Sequence, residues 1–159
     1  MFAWLETTPV ADWVALSLWA YPSLLSCHII GLAIVVGIFF TRDLRLAGII
    51  HGIDPVIFVR LGRLAWFGFA LNLTSGLLLF TSQASVFVSN IPFLIKISCI
   101  TVGMGLAIYI QSRLARQLAY AGVNGGVVFV NDTGLRALAC VSLLVWVAAI
   151  SAGRLIAYF

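Results

Sequence analysis

Four apolar runs, each about as long as a bilayer is thick, leave this chain few folds to adopt. They cover residues 21–41, 65–82, 93–111 and 135–159, and a hydrocarbon core of ~30 Å takes about 20 helical residues to cross. Backbone N–H and C=O groups find no water in that core, so runs of this kind are stable there as helices. The expected fold is all-α: a polytopic four-transmembrane-helix bundle, one membrane domain over residues 1–159. Residues are 63% hydrophobic and only 9% charged. Soluble domains keep about a quarter of theirs charged, so no water-facing domain is expected.

The segments between the runs set caps and direction. Thr8-Pro9 offers an N-cap followed by a first-turn proline, and Trp4, Trp13 and Trp19 suit the headgroup level. An interfacial helix is therefore expected over residues 9–20, bent into the membrane at Pro22. Gly48 and Gly52 should close the first spanning helix, and Asp54-Pro55 should start the second. The run Gly122-Val-Asn124-Gly125-Gly126 should break the third, with Asp132 or Thr133 capping the fourth; Val127 to Val130 is too short to classify. Glu6 and Asp12 stand where a cleaved signal would carry Lys or Arg, so Met1 is expected to be the mature start.

The net charge of +4 is not a nucleic-acid signature, because no Lys/Arg run with interleaved aromatics is present to track phosphates. It reads as topology. Residues 42–63 carry Arg42, Arg45, Arg60 and Arg63, residues 113–136 carry Arg113, Arg116 and Arg136, and residues 82–92 carry no charge. The positive-inside rule then puts both termini outside, which is periplasmic for the inner (cytoplasmic) membrane of a Gram-negative bacterium. Cys27, Cys99 and Cys140 sit in apolar runs at spacings unlike a metal or redox pair and read as packing residues.

Ionisable groups at membrane depth are functional candidates by default. His28, six residues beyond Pro22, should lie ~9–15 Å below the outer interface at 1.5 Å per residue. Lys96 opens the third span and Arg154 closes the fourth, so all three belong to the outer half of the bundle. His28 shares a face with Gly31 and Val35, and Lys96 with Cys99, Gly103 and Ala107. In the second helix Ala65, Gly68, Asn72 and Ser75 form a small, partly polar stripe. Such a stripe either brings helices together or leaves room for a flat cofactor.

A neutral imidazole is a common ligand for haem iron. A closed zinc or copper site is not expected from two histidines and scattered cysteines, whereas haem needs only one or two protein ligands. His51 cannot be the second, because the thirteen helical residues from His28 to Thr41 already span ~20 Å. The sixth position is left open, or to Lys96, an added ligand or another subunit. Lys96 and Arg154 could also neutralise haem propionates. The plainer alternative has His28 hydrogen-bonding across the bundle to Asn72, Thr74 or Ser98, and Lys96 and Arg154 snorkelling to the interface. No carboxylate is expected inside any span, which argues against a proton- or cation-coupled transporter.

Leu25-Ser-Cys-His28-Ile-Ile-Gly31, Thr41-Arg-Asp-Leu-Arg-Leu46, Leu73-Thr-Ser-Gly76-Leu-Leu-Leu-Phe80 and Pro92-Phe-Leu-Ile-Lys96 resemble an uncharacterised family of small bacterial four-helix membrane proteins. The likeness runs to about Gln111. The pattern is distantly similar to the copper-resistance D and HemJ-type protoporphyrinogen oxidase group, in which a first-span histidine and a lysine opening a later span are associated with haem b. The resemblance implies His28 as axial ligand and Lys96 as its functional partner. The leading expectation is a haem b protein for electron transfer, with His28 as metal ligand and Lys96, Arg154 and Asn72 near the cofactor. Its partners would be the lipid bilayer, an outer-face redox protein or quinone, and further copies or subunits. The rivals are a non-redox structural or transport subunit with a buried His/Asn/Lys network, and an oxidase of a lipid-soluble substrate with Lys96 as acid/base.

Overall fold

The computed structural model describes residues 3–124 and 133–158. Among the described residues eight α-helices follow one another: α1 (Ala3–Glu6), α2 (Pro9–Leu16), α3 (Ala20–Leu46), α4 (Val56–Arg60), α5 (Gly62–Thr81), α6 (Ala84–Ser89), α7 (Ile91–Asn124) and α8 (Thr133–Leu155), with a 3₁₀ turn over Ile156–Tyr158. Four of them, α3, α5, α7 and α8, are long and apolar enough to cross a membrane. They alternate in direction. α3 lies along α5, α7 lies along α8, and α3 also meets α8, so α3 and α8 form the middle of the bundle.

Local chemistry explains the ends. The Thr8 side chain accepts from the Ala11 amide and Pro9 opens α2, as expected. α2 stops at Leu16, and Pro22 falls in the first turn of α3, where its missing N–H costs nothing. Gly48, at φ +80°, lies just past the Ala47 cap of α3, and Arg45 holds the following loop by donating to the Ile53 carbonyl at 2.8 Å. Asp54 accepts from the Val56 amide at 2.9 Å to start α4. Gly125, Gly126, Asp132 and the stretch from Val127 to Val130 lie outside the described residues.

Several boundaries differ from the expectation: α2 ends at Leu16 rather than residue 20, and α7 runs on through Gly122 to Asn124. α3 closes before Gly48 as expected, but the spanning helix extends past the apolar run that ends at Thr41, so Arg42 and Asp43, which belong to the segment between the runs, are helical and wholly buried. No helix breaker precedes Gly48, and the two charges neutralise each other, which lets the helix stay inside the bundle. A carboxylate therefore does lie within a spanning helix, contrary to expectation.

Two apolar clusters fill the half of the bundle where α3 ends. One gathers Val35, Phe39, Ala65, Met104, Ala107 and Trp146, the other Leu46, Phe58, Ile110, Leu114, Leu135 and Ala139. At the opposite end Phe80, Phe87 and Phe93 stack with centroids 5.2–6.3 Å apart, joining α5, α6 and α7.

At that end Glu6 ties α1 to α6. Its carboxylate accepts from both the amide and the hydroxyl of Ser85, which pulls its pKa below the ordinary carboxylate value. A carboxyl with a depressed folded pKa stabilises above its unfolded pKa, and that contribution is lost as pH falls through the folded value. Hydrogen exchange at the Ser85 amide should accordingly speed up as pH drops below about 4, after correction for intrinsic exchange rates. Glu6→Gln should remove the pH dependence; equal protection at about pH 6 and about pH 3 in the parent chain would refute the tether.

Candidate functional site

His28 projects from α3 onto α5, and its contacts fix its chemistry. Its Nδ1 lies 2.9 Å from the backbone carbonyl of Asn72 and 3.3 Å from Oγ of Ser75. A carbonyl only accepts, so Nδ1 carries the proton and Nε2 presents a lone pair. Ser75 donates its own proton to the Leu71 carbonyl at 2.6 Å, leaving its oxygen free to accept from His28. In return the Asn72 side-chain amide donates to the His28 carbonyl at 2.8 Å. This reciprocal clasp needs close helices. A Cβ on Gly31 would stand 2.7 Å from Asn72 N and Gly68 O, and one on Gly76 would stand 2.8 Å from Cε1 of His28. The small-residue stripes are thus taken up by the opposing helix and by the imidazole itself.

The other sequence candidates are arranged more loosely. Lys96, half-buried, runs along Gly153 of α8, with Nζ 3.7 Å from where a Cβ on that glycine would be. It is near enough to His28 for their charges to interact, and its ammonium makes no hydrogen bond or ion pair among the described residues. Arg154, next to Gly153, is exposed. His51 is exposed in the loop after α3. Asn72 faces His28, but its side-chain amide is engaged in the clasp. Cys27 and Cys99 are half-buried and Cys140 is exposed, all as free thiols.

Nε2 of His28 has no hydrogen-bond partner among the described residues, and those residues form no enclosed haem-sized slot around it. An open groove of about 330 Å³ between α3 and α8, lined by residues such as Val36, Phe40 and Ile150, includes none of these candidates. Among the described residues, no three His, Cys, Asp or Glu side chains gather as a metal site.

A second polar constellation, which the sequence reading missed, lies at the other half of the bundle. Arg42 donates from Nε to Oδ1 of Asp43 at 2.8 Å, with Nη2 2.7 Å from the same oxygen. Its Nη1 donates across to α7, to the Ala107 carbonyl at 3.1 Å and to Oε1 of Gln111 at 3.2 Å. Gln111 passes the link on, donating from Nε2 to the Phe58 carbonyl at 2.8 Å. The guanidinium also lies over the Phe39 ring, 4.9 Å from its centroid. The available signal was the acidic residue directly after Arg42, since a lone topogenic arginine needs no counter-charge.

No family model, curated protein or solved structure matches the chain. Fold and composition define the class: a small all-α integral membrane protein with four candidate spanning helices.

Proposed function

We propose that this protein binds one haem b through Nε2 of His28 and serves in electron transfer in a bacterial cytoplasmic membrane. The observation that carries the reading is the contact of Nδ1 with the Asn72 carbonyl, from which the tautomer with a free Nε2 lone pair follows. Histidine ligands to metals commonly donate their other ring N–H to a carbonyl or carboxylate, which orients the ring and raises its basicity. The Asn72 carbonyl occupies that position for His28. His28 would hold the iron through Nε2, and a further ligand would come from an added molecule or another subunit.

Bound haem b would supply a one-electron couple. His28 would hold it, Asn72 and Ser75 would orient His28, and the Lys96 ammonium would offer a counter-charge for carboxylates at the rim, with Arg154 further out. Positive charge nearby favours the reduced state. Electrons would pass to a quinone from the lipid or to an outer-face redox protein. The end carrying Arg45, Arg60, Arg63, Arg113, Arg116 and Arg136 is assigned to the cytoplasm by the positive-inside rule, which puts both termini in the periplasm.

Visible spectra of detergent-purified protein, oxidised and dithionite-reduced, test this. Sharp reduced α and Soret bands are expected, lost in His28→Ala and in His28→Gln, whose amide can still donate to the Asn72 carbonyl. A colourless parent protein from haem-replete cells would overturn the reading. It would leave the structural alternative, which the reciprocal His28–Asn72 clasp favours: imidazole and amide as glue between two membrane helices.

A further inference from the structure

The Arg42–Asp43 pair is not closed on itself. Asp43 uses Oδ1 for both Arg42 contacts, while its Oδ2 has no hydrogen-bond partner among the described residues. Among the described residues four more buried atoms share that condition: Oε1 of Gln117, which lies elsewhere on α7, and, grouped here, Oγ of Ser142, Nε1 of Trp146, and Nη2 of Arg42 beyond its ion contact. The side chains of Arg42, Asp43, Ser142 and Trp146 are at most 1% exposed.

These atoms belong to facing turns of α3 and α8, packed against α7. Ser142 lies beside the Asp43 carboxylate, close enough for its hydroxyl to interact with it. One turn along α8, Trp146 stacks on Phe39 with centroids 6.4 Å apart, and Phe39 is the ring under the Arg42 guanidinium. The indole edge next to Nε1 faces α7, where a Cβ on Gly103 would stand 3.4 Å from Cε2. One turn further along α7 is Ala107, whose carbonyl takes Arg42 Nη1.

Buried polar groups that lack a protein partner call for a ligand or ordered water, and the donor set here restricts which. Arg42 repels a cation and Asp43 an anion, so the ligand is neutral. Trp146 and Arg42 only donate, whereas Oδ2 of Asp43 only accepts. The ligand must therefore do both, and be small enough to fit between packed helices. We propose that this cluster is a hydration site: one or two ordered waters accept from Trp146 and Arg42 and donate to Asp43 and Ser142. A buried water commonly makes about three hydrogen bonds, a number these groups can supply. The membrane-buried charge pair becomes a hydrated joint holding α8 to α3. This inference is independent of haem at His28.

The test uses the full chain, ¹⁵N-labelled at tryptophan, in detergent micelles. Magnetisation transfer from water to the Trp146 indole N–H is expected, although the ring is almost wholly buried; Trp146→Phe assigns the signal. Should that variant misfold, the shift caused by Ser142→Ala assigns it instead. Ser142→Ala is expected to weaken the transfer and lower Tm. A folded parent protein without transfer to the Trp146 indole would overturn the proposal. So would a Tm unchanged or raised in Ser142→Ala, the result for deleting an unpaired hydroxyl from a dry cluster.

Discussion

Arg42→Met and Asp43→Leu will each destabilise the folded protein by about 3–5 kcal/mol, and combining them will restore most of the loss. Each single change strands a full charge in the bundle interior. Arg42→Met leaves Asp43 with no counter-charge at 0% exposure, and also removes the donor shared by the Ala107 carbonyl and Gln111. Asp43→Leu leaves a guanidinium whose remaining partners are neutral oxygens and the Phe39 ring. The double change removes both charges and replaces them with apolar side chains, an exchange that is often neutral in protein interiors. Unfolding followed by circular dichroism in mixed detergent measures all three variants. If the two single losses simply add in the double variant, the residues do not work as a pair and the inner-half network is misread.

That pair marks where the sequence was legible and where it was not. The four spanning helices could be read because length and apolarity alone commit a segment to the membrane. The faces of α3 and α5 could be read too: Gly31 and Val35 on one, and Ala65, Gly68 and Ser75 on the other, are buried as their spacing predicts. Arg42 and Asp43 could not, because their burial depends on groups 65–69 residues away on α7 and on Ser142 and Trp146 of α8. A charge at the end of an apolar run looks the same whether it meets water or a partner helix. Gln111 is equally ambiguous: it ends an apolar run in the sequence, yet in the fold it bridges α3 to α4.

His28 shows the same limit at closer range. Sequence offered Asn72, Thr74 and Ser98 as partners. Thr74 and Ser98 instead donate to carbonyls of their own helices, at Ala70 and Leu94. Asn72 is selected partly through its backbone carbonyl, a group every residue has, so identity alone could not single it out. That carbonyl is reachable because the helices come close at Gly31 and Gly68 and because Gly76, one turn on, has no side chain to keep the imidazole away.

The close approach yields the second large effect. Gly31→Ala is expected to cost about 1–3 kcal/mol from overpacking, with more lost if the clasp opens, whereas Gly37→Ala should be neutral or stabilising. The added methyl at Gly31 would stand 2.7 Å from Asn72 N and Gly68 O, backbone atoms that cannot rotate away, and carbon contacts are favourable only near 3.5–4.0 Å. α3 and α5 must therefore separate by roughly 1 Å. That movement stretches the 2.9 Å contact of His28 with the Asn72 carbonyl and the 2.8 Å bond returned by the Asn72 amide, each worth about 1 kcal/mol net. Gly37 has nothing within 4 Å of its added Cβ, so alanine there brings only its helix preference, about 0.5–1 kcal/mol in its favour. Comparing the two variants by thermal unfolding separates helix propensity from packing: a Gly31→Ala protein as stable as Gly37→Ala would mean that the crossing at Gly31 is not tight, and that the orientation of His28 does not depend on it.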